Sequence, residues 1–197
     1  MASGLQIPIF PLGTVLYPDG MLPLRIFEQR YLEMAKGCIR DNSVFGVCRI
    51  REGLEVGTPA VPYDTGCTAR IAEWDMPHLG VFHLVVQGEA VFRIQEQWIT
   101  KSGLIQAHVQ LQPAQQPEAL SAEFAALAEL LGKIMAKLGA SRFPRPARLD
   151  DAAWVAYRLA ELLPLELDTK QRLLESRNPV EGLREVKAFL QARQGVL

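Results

Sequence analysis

The residue types that most often bind metals or catalyse reactions are sparse in this sequence and form no known motif. One cysteine and the three histidines are the candidate metal ligands: Cys67, His78, His83 and His108. Their spacing matches no common zinc site, and neither Cys-x-x-Cys nor His-Glu-x-x-His occurs. We therefore expect separate strand residues with their own hydrogen-bond partners, no metal site and no cofactor.

Two further patterns approach a catalytic or phosphate-binding motif and fail on geometry. Lys101 and Ser102 have the residue types of a Ser–Lys catalytic pair, but adjacent strand residues point to opposite faces. Ser102 with Gly103 is in any case typical of a turn. Gly132-Lys133 is followed by Ile134, where a phosphate-binding loop needs Ser or Thr. The sequence thus predicts no catalytic residue and a chain that is not an enzyme.

The charge distribution argues against a nucleic-acid partner. Lys and Arg number 21 against 22 Asp and Glu, a net charge of -1. Residues 1–112 carry 9 basic and 11 acidic groups, and residues 113–197 carry 12 and 11. Neither part has the basic surplus that neutralises phosphates. The basic cluster of Arg142, Arg145 and Arg148 sits among prolines, which favours a solvated linker over a nucleic-acid site.

The cysteines and the chain start indicate a cytoplasmic protein. Cys38, Cys48 and Cys67 are odd in number and far apart, as expected for reduced thiols. The start at residues 1–5 lacks the basic and apolar regions of a secretory signal. No stretch of about 18 apolar residues occurs. We therefore expect a cytoplasmic chain that does not span a membrane.

Short apolar runs broken by Pro and Gly predict a β-rich part over residues 1–115. The predicted strands are 7–12, 21–27, 44–50, 68–72, 80–86, 90–94 and 104–111. Pro8 and Pro11 place the first of them at an edge or a bulge. One helix, about Glu28 to Arg40, interrupts the set and has an apolar face of Tyr31, Met34, Ala35 and Cys38. The pattern favours a closed or half-closed antiparallel sheet.

The period becomes helical over residues 116–197. A stripe at spacings of three and four consists of Leu120, Phe124, Leu127, Leu131, Ile134 and Leu138. Its burial in a core is favoured over a role as a dimer seam. Asp150 or Asp151 is expected to cap a second helix, Asp168 a third, and Asn178 a fourth that starts at Pro179. Four such helices predict a helical bundle.

Several ordered motifs carry a resemblance to a known family. They are Ile7-Pro8-Ile9-Phe10-Pro11-Leu12-Gly13, Leu16-Tyr17-Pro18, Leu22-Pro23-Leu24-Arg25-Ile26-Phe27-Glu28, Gly66-Cys67-Thr68-Ala69-Arg70-Ile71 and Asn178-Pro179-Val180-Glu181. In these the chain resembles the Lon protease N-terminal domain, also called the Lon substrate-binding domain. The resemblance implies an α+β fold, with a PUA-like pseudo-barrel followed by a helical bundle. It also implies a stand-alone module that recognises polypeptide segments or partner proteins without ATPase or protease parts.

Two other functions stay open at this point. A PUA-like barrel that binds RNA is one alternative, and the neutral charge disfavours it. A cryptic hydrolase is the other, and its sign would be a polar pocket that holds a carboxylate or thiol with a perturbed pKa.

A receptor for unfolded segments needs exposed apolar side chains or an open strand edge. The segment 74–79 falls between strand patterns and is predicted to be a loop, with Trp74, Met76 and Leu79 as candidate contacts. The alternative is a loop tip that folds back onto its own sheet. Ile7 and Phe10 on the proline-bearing edge form a second candidate surface. Arg25 and Phe27 complete the candidates, although Phe27, with Leu24, Ile26 and Tyr31, is expected to be mostly buried scaffold.

Overall fold

The computed structural model describes residues 4–139 and 142–194, and its contacts divide the chain into two units, Met1–Ala114 and Gln115–Leu197. Expectations for residues 1–3 lie outside the described residues. The first unit contains strands β1 (Leu5–Leu12), β2 (Met21–Ile26), β3 (Phe45–Glu52), β4 (Val61–His78), β5 (Val81–Ile99) and β6 (Ile105–Leu111). Its helix α1 spans Gln29–Asp41, within one residue of the predicted bounds, and buries the predicted apolar face.

The strands of the first unit form a barrel with one additional strand. The strand order is β2-β5-β4-β3-β1-β6, and a further pairing of β5 with β6 closes the ring. Strand β2 lies outside the ring because it pairs with β5 on one side only. This confirms the predicted β-rich pseudo-barrel. The ring is not purely antiparallel, since β1 runs parallel to β3 with Phe10 opposite Val47.

The prediction that the prolines place β1 at an edge or a bulge is wrong, since β1 is paired on both sides with no shift of register. It pairs with β3 on one side and with β6 on the other, where Pro8 lies opposite Gln106. Both of its faces are buried: Ile7 and Ile9 pack inside the barrel, and Phe10 packs with α1. The burial of apolar side chains on two faces therefore holds β1 inside the sheet despite its prolines.

Phe92 fills the centre of the barrel and is fully buried. Gly46 of β3 and Gly66 of β4 face its ring, and a Cβ atom there would lie 2.6 Å and 2.8 Å from it. These glycines let three strands approach one large side chain, so the barrel interior is packed rather than open.

The segment predicted to be a loop at 74–79 is instead the end of a long β-hairpin. Strand β4 continues to His78 and β5 starts at Val81, with Gly80 in the left-handed region at φ +82°. Residues 72–80 are all exposed, and we call them the hairpin tip. Ala72, Trp74 and Met76 alternate with Glu73 and Asp75, which fits a strand, but Pro77 and Gly80 are typical of a loop and led to the wrong prediction.

The second unit contains four helices in its described residues. They are α2 (Ala125–Leu138), α3 (Ala152–Leu162), α4 (Leu167–Ser176) and α5 (Pro179–Gln194), and a 3-10 turn at Ala122–Phe124 precedes α2. Helix α3 is buried from Ala152 to Ala160 and forms the centre of the unit. Leu183 and Val186 of α5 are fully buried. This agrees with the predicted helical bundle.

The predicted apolar stripe and helix caps hold in part. Phe124, Leu127 and Leu131 are buried, which favours core packing over a dimer seam. Met135 replaces Ile134 on the buried side, Leu138 is exposed, and Leu120 precedes the helix. Asp151 caps α3, and Asn178 accepts a hydrogen bond from the Glu181 N–H at 3.2 Å. Asp168 is not a cap, because α4 begins one residue earlier, after Glu166. No helix in the described ranges is long and apolar enough to cross a membrane.

Candidate functional site

Two clefts of the first unit adjoin β2. The first has a volume of about 340 Å³, and the second about 470 Å³. The first is lined mainly by apolar side chains: Phe10, Leu12, Leu22, Leu24, Ile26 and Tyr31, with Phe27 and Val56 beside them. The second is lined by Pro23, Leu24, Trp74, His83, Leu84 and Val85, together with Glu73 and Asp75. Pro23, Leu24 and Arg25 line both clefts.

Aromatic packing forms the floor of the first cleft. The rings of Phe10 and Tyr31 lie 4.1 Å apart between centroids, and both residues are buried. Burial raises the pKa of the Tyr31 phenol above its ordinary value, and the neighbouring Arg30 charge opposes that rise only in part. The phenol therefore stays neutral, and the floor presents an uncharged aromatic surface.

Arg30 fixes the start of α1 beside this floor. Its Nη2 atom donates to Glu28 Oε2 at 2.9 Å and to the Gly57 carbonyl at 2.8 Å, and Nη1 donates to the Gly103 carbonyl at 3.1 Å. Its guanidinium also lies 4.7 Å from the centre of the Tyr31 ring. Through these charge-assisted hydrogen bonds, the buried arginine connects the start of α1 to two loops, one of them at the rim of the first cleft.

Strand register positions the second cleft. Leu24 of β2 lies opposite Leu84 of β5, which lies opposite Trp74 of β4. The Trp74 ring meets Phe82 edge-on at 6.1 Å, yet 55% of the residue is exposed. The indole is thus oriented by a buried neighbour and still offers a large apolar face to solvent.

The structure brings together four of the sequence-predicted residues. Phe10, Arg25 and Phe27 line the first cleft, and Arg25 and Trp74 line the second. Phe27 is 52% exposed, so its expected burial as scaffold is wrong. Phe10 is buried and belongs to the cleft floor instead of an exposed strand edge.

The other predicted contacts lie outside the two clefts. Met76 and Leu79 are on the hairpin tip, exposed by 45% and 95%, and the tip does not fold back over them. Ile7 is buried inside the barrel, so it offers no surface, contrary to the expectation. Its burial follows from the closure of the barrel around β1.

Sequence reasoning missed part of the cleft lining. Leu22 and Leu24 alternate with Pro23 and Arg25 in the motif, and that alternation is a signal for a two-faced strand. Val56 is 55% exposed at the rim of the first cleft. It stands in a polar, glycine-containing segment with no periodic pattern, so nothing in the local sequence pointed to it.

The described thiols are poor nucleophiles. Cys38, Cys48 and Cys67 form no disulfide bond, and all three are buried. Burial raises the pKa of Cys38 and that of Cys48 above the ordinary value of 9.0, so these sulfurs stay protonated near neutral pH. No group of three metal-ligating side chains occurs in the described part of the chain. The clefts thus offer apolar surface and a few charges rather than reactive groups.

The fold is that of an α+β domain in which a β-barrel unit is followed by a helical unit. The chain belongs to the family of the substrate-binding domain of ATP-dependent protease La (Lon), whose model matches residues 6–192. This confirms the family resemblance of the opening motifs.

Similar proteins agree with this assignment. The crystal structure of a Lon N-terminal domain protein from Xanthomonas campestris is 34% identical, covers 93% of this chain and 98% of that chain, and has a TM-score of 0.76. Lon protease from Anaeromyxobacter dehalogenans is 26% identical over 97% of this chain and 24% of that protein. Lon protease 2 from Myxococcus xanthus is 27% identical over the same shares. The chain thus spans about a quarter of the length of these curated relatives.

Proposed function

We propose that this chain binds polypeptide segments of other proteins through the surface formed by the two clefts and the hairpin tip. The observation that carries the proposal is the concentration of accessible apolar groups around β2. Trp74, Phe27 and Val56 are each more than half exposed next to the clefts. Unfolded segments expose apolar side chains, and a receptor for them needs such a surface. The family's description as a substrate-binding domain supports the same function.

Within these 197 residues we infer a binding role without ATPase or protease parts. Matches to Lon proteases cover the chain and about a quarter of those proteins. The buried, protonated thiols of Cys38 and Cys48 also speak against a cysteine nucleophile. A polar cleft of about 290 Å³ beside α1 does contain Cys38. Burial raises the pKa of this thiol, so it is not an activated nucleophile and does not support the hydrolase alternative.

The charges around the clefts favour polypeptide over nucleic acid. Four carboxylates line the two clefts: Glu28, Glu55, Glu73 and Asp75. A surface for RNA would need an excess of Lys and Arg to neutralise phosphates. The acidic groups here would repel a phosphate backbone, while an apolar peptide has no such penalty.

A double substitution on the hairpin tests this function. Trp74→Ser with Met76→Ser removes two exposed apolar contacts, and we expect about tenfold weaker binding of a reduced, carboxymethylated and therefore permanently unfolded protein. Fluorescence anisotropy of the labelled probe measures the affinity. Because neither side chain is buried, the thermal midpoint should stay within about 4 °C of the parent value.

Ile99→Ser with Leu111→Ser is the matched control, because both residues are exposed apolar residues of the same unit and neither lines a cleft. The control should bind like the parent. Equal affinity of both double variants and the parent would show that the hairpin is not the binding surface. No binding by the parent would refute the proposed function itself.

A further inference from the structure

Strand β2 has one long edge that no other strand covers in the described part of the chain. The Gly20 carbonyl accepts a hydrogen bond from the Gly88 N–H at 2.8 Å, and the register over Met21–Ile26 continues from there without a shift. Backbone groups alternate in direction along an antiparallel pair. Even-numbered residues of β2 therefore direct their backbone groups toward β5, and odd-numbered residues direct theirs away from it.

The outward-directed residues are Met21, Pro23 and Arg25. Proline has no N–H, so Pro23 is compatible with a position directed away from β5. A proline at position 22 or 24 would instead remove a hydrogen bond between β2 and β5. The edge thus offers the N–H groups of Met21 and Arg25 and the carbonyls of all three residues. Such groups at every second residue are the pattern with which an added strand forms hydrogen bonds.

The two clefts lie where the side chains of an added strand would go. Leu22, Leu24 and Ile26 share one face of β2 and line the first cleft. Pro23 and Arg25 share the other face, and Pro23, Leu24 and Arg25 line both clefts. Since side chains of an added strand alternate between the same two faces, they would lie beside cleft-lining residues on both faces of β2.

Charge around the clefts indicates which segments fit. Glu28 is neutralised by Arg30 at 2.9 Å, which leaves the three carboxylates of Glu55, Glu73 and Asp75 against the single guanidinium of Arg25. Each exposed ion pair adds only modestly to affinity. The excess of carboxylates therefore favours segments whose ends carry Lys or Arg.

We propose that the open edge of β2 receives the bound polypeptide as an added β-strand, with its apolar side chains against the lining of the two clefts and its basic residues beside the cleft carboxylates. This inference rests on the proposed polypeptide-binding function and specifies its geometry and its preferred sequence. The backbone bonds make binding tolerant of sequence, and the clefts and carboxylates add selectivity.

A second copy of β2 fits this edge poorly. In an antiparallel pair centred on Pro23, the two prolines face each other and neither donates a hydrogen bond. Proline and charged residues on edge strands are also a common protection against edge-to-edge pairing. An extended segment of another sequence supplies the donors that the second copy lacks, so it is the occupant we assign.

Backbone hydrogen exchange on the full chain tests the geometry. The probe is a peptide of about ten residues, a typical strand length, with alternating Thr and Val between Lys pairs. At saturation we expect amide exchange at Met21 and Arg25 to slow by about tenfold or more, measured by NMR. Binding without protection at these amides would overturn the added-strand model and leave the proposed function standing. If these amides are already protected without peptide and lose that protection on dilution, a second copy of the chain occupies the edge. That result would also overturn the proposal.

Two substitutions at Met21 test the hydrogen bond that its N–H would donate to the added strand. Met21→Pro removes the outward N–H, while Met21→Ala removes only the side chain, so we expect about fivefold weaker peptide binding for the proline variant than for the alanine variant. A probe with Glu in place of its Lys residues should bind at least about threefold more weakly at low salt. Equal affinities within the Met21 pair would contradict the backbone bond. Equal affinities of the two probes would contradict the charge preference.

Discussion

Residues of similar type have opposite roles in the candidate site. Phe10 and Phe27 both line the first cleft, but Phe10 is 6% exposed and Phe27 is 52% exposed. Phe10 is held against Tyr31 and Phe45, so it forms part of the core as well as the cleft floor. Phe27 lies between the end of β2 and the start of α1, where no element covers it. The apolar residue type alone did not distinguish these environments.

This difference predicts opposite effects of truncation. Phe10→Ala should destabilise the fold by about 3–5 kcal/mol, because it leaves a cavity beneath Tyr31. Phe27→Ala should cost less than about 1 kcal/mol, since the ring is already half in water, and should weaken peptide binding severalfold. Urea unfolding gives the stabilities, and anisotropy with the unfolded probe gives the affinities. A large loss of stability in Phe27→Ala would show that Phe27 has a structural role rather than a binding role.

Elements were predictable from sequence where one of their faces is buried. Helix α1 shows that pattern, whereas β3 shows a continuous buried run from Phe45 to Cys48, and both lie close to their predicted bounds. The hairpin tip has no buried face, so its strand character depends on pairing between β4 and β5. Its alternation of Trp74 and Met76 with charged residues was outweighed by the loop-forming residues Pro77 and Gly80. The prediction for β1 failed for another reason. Proline is most common in edge strands, but burial of both faces and closure of the barrel place β1 inside the sheet.

Helix starts allow a direct test of local signals. The Asp151 carboxylate accepts hydrogen bonds from the N–H groups of Ala153 at 3.0 Å and Trp154 at 3.4 Å. The N-cap position of α4 is Glu166, whose side chain makes no cap hydrogen bond, and Asp168 lies inside the first turn. Asp151→Ala should therefore destabilise the protein by about 1–2 kcal/mol, and Glu166→Ala by less than about 0.5 kcal/mol. Thermal or urea unfolding of the two variants checks the difference, and equal losses would contradict the assigned cap.

At the scale of the whole molecule, the sequence predicted the α+β fold and its two kinds of secondary structure but not the clefts. Near residue 113 the apolar residues change from short runs to a helical spacing. This change can be seen within each segment alone, without knowledge of how segments pair. The second cleft depends on the register that places Leu24, Leu84 and Trp74 in one row across three strands. That row joins residues far apart in sequence, so only the paired sheet reveals it.

The division into two units predicts where binding lies. Both clefts, the hairpin tip and the open edge of β2 belong to residues before Gln115. The barrel cluster around Phe92 and the cluster beside α1 also consist entirely of residues from that part. A fragment of residues 1–114 should therefore fold and bind the unfolded probe with an affinity within about threefold of the full chain. The fragment 115–197 should show no binding.

Circular dichroism and anisotropy on both fragments and the full chain measure folding and affinity separately. A single Trp74→Ser substitution in fragment 1–114 serves as the control, because it should weaken binding without unfolding the barrel. If fragment 1–114 folds but does not bind, residues after Ala114 contribute contacts and the assigned surface is incomplete. If binding resides in fragment 115–197, the clefts beside β2 are not the polypeptide site, because the buried core of that fragment shares no residue with them.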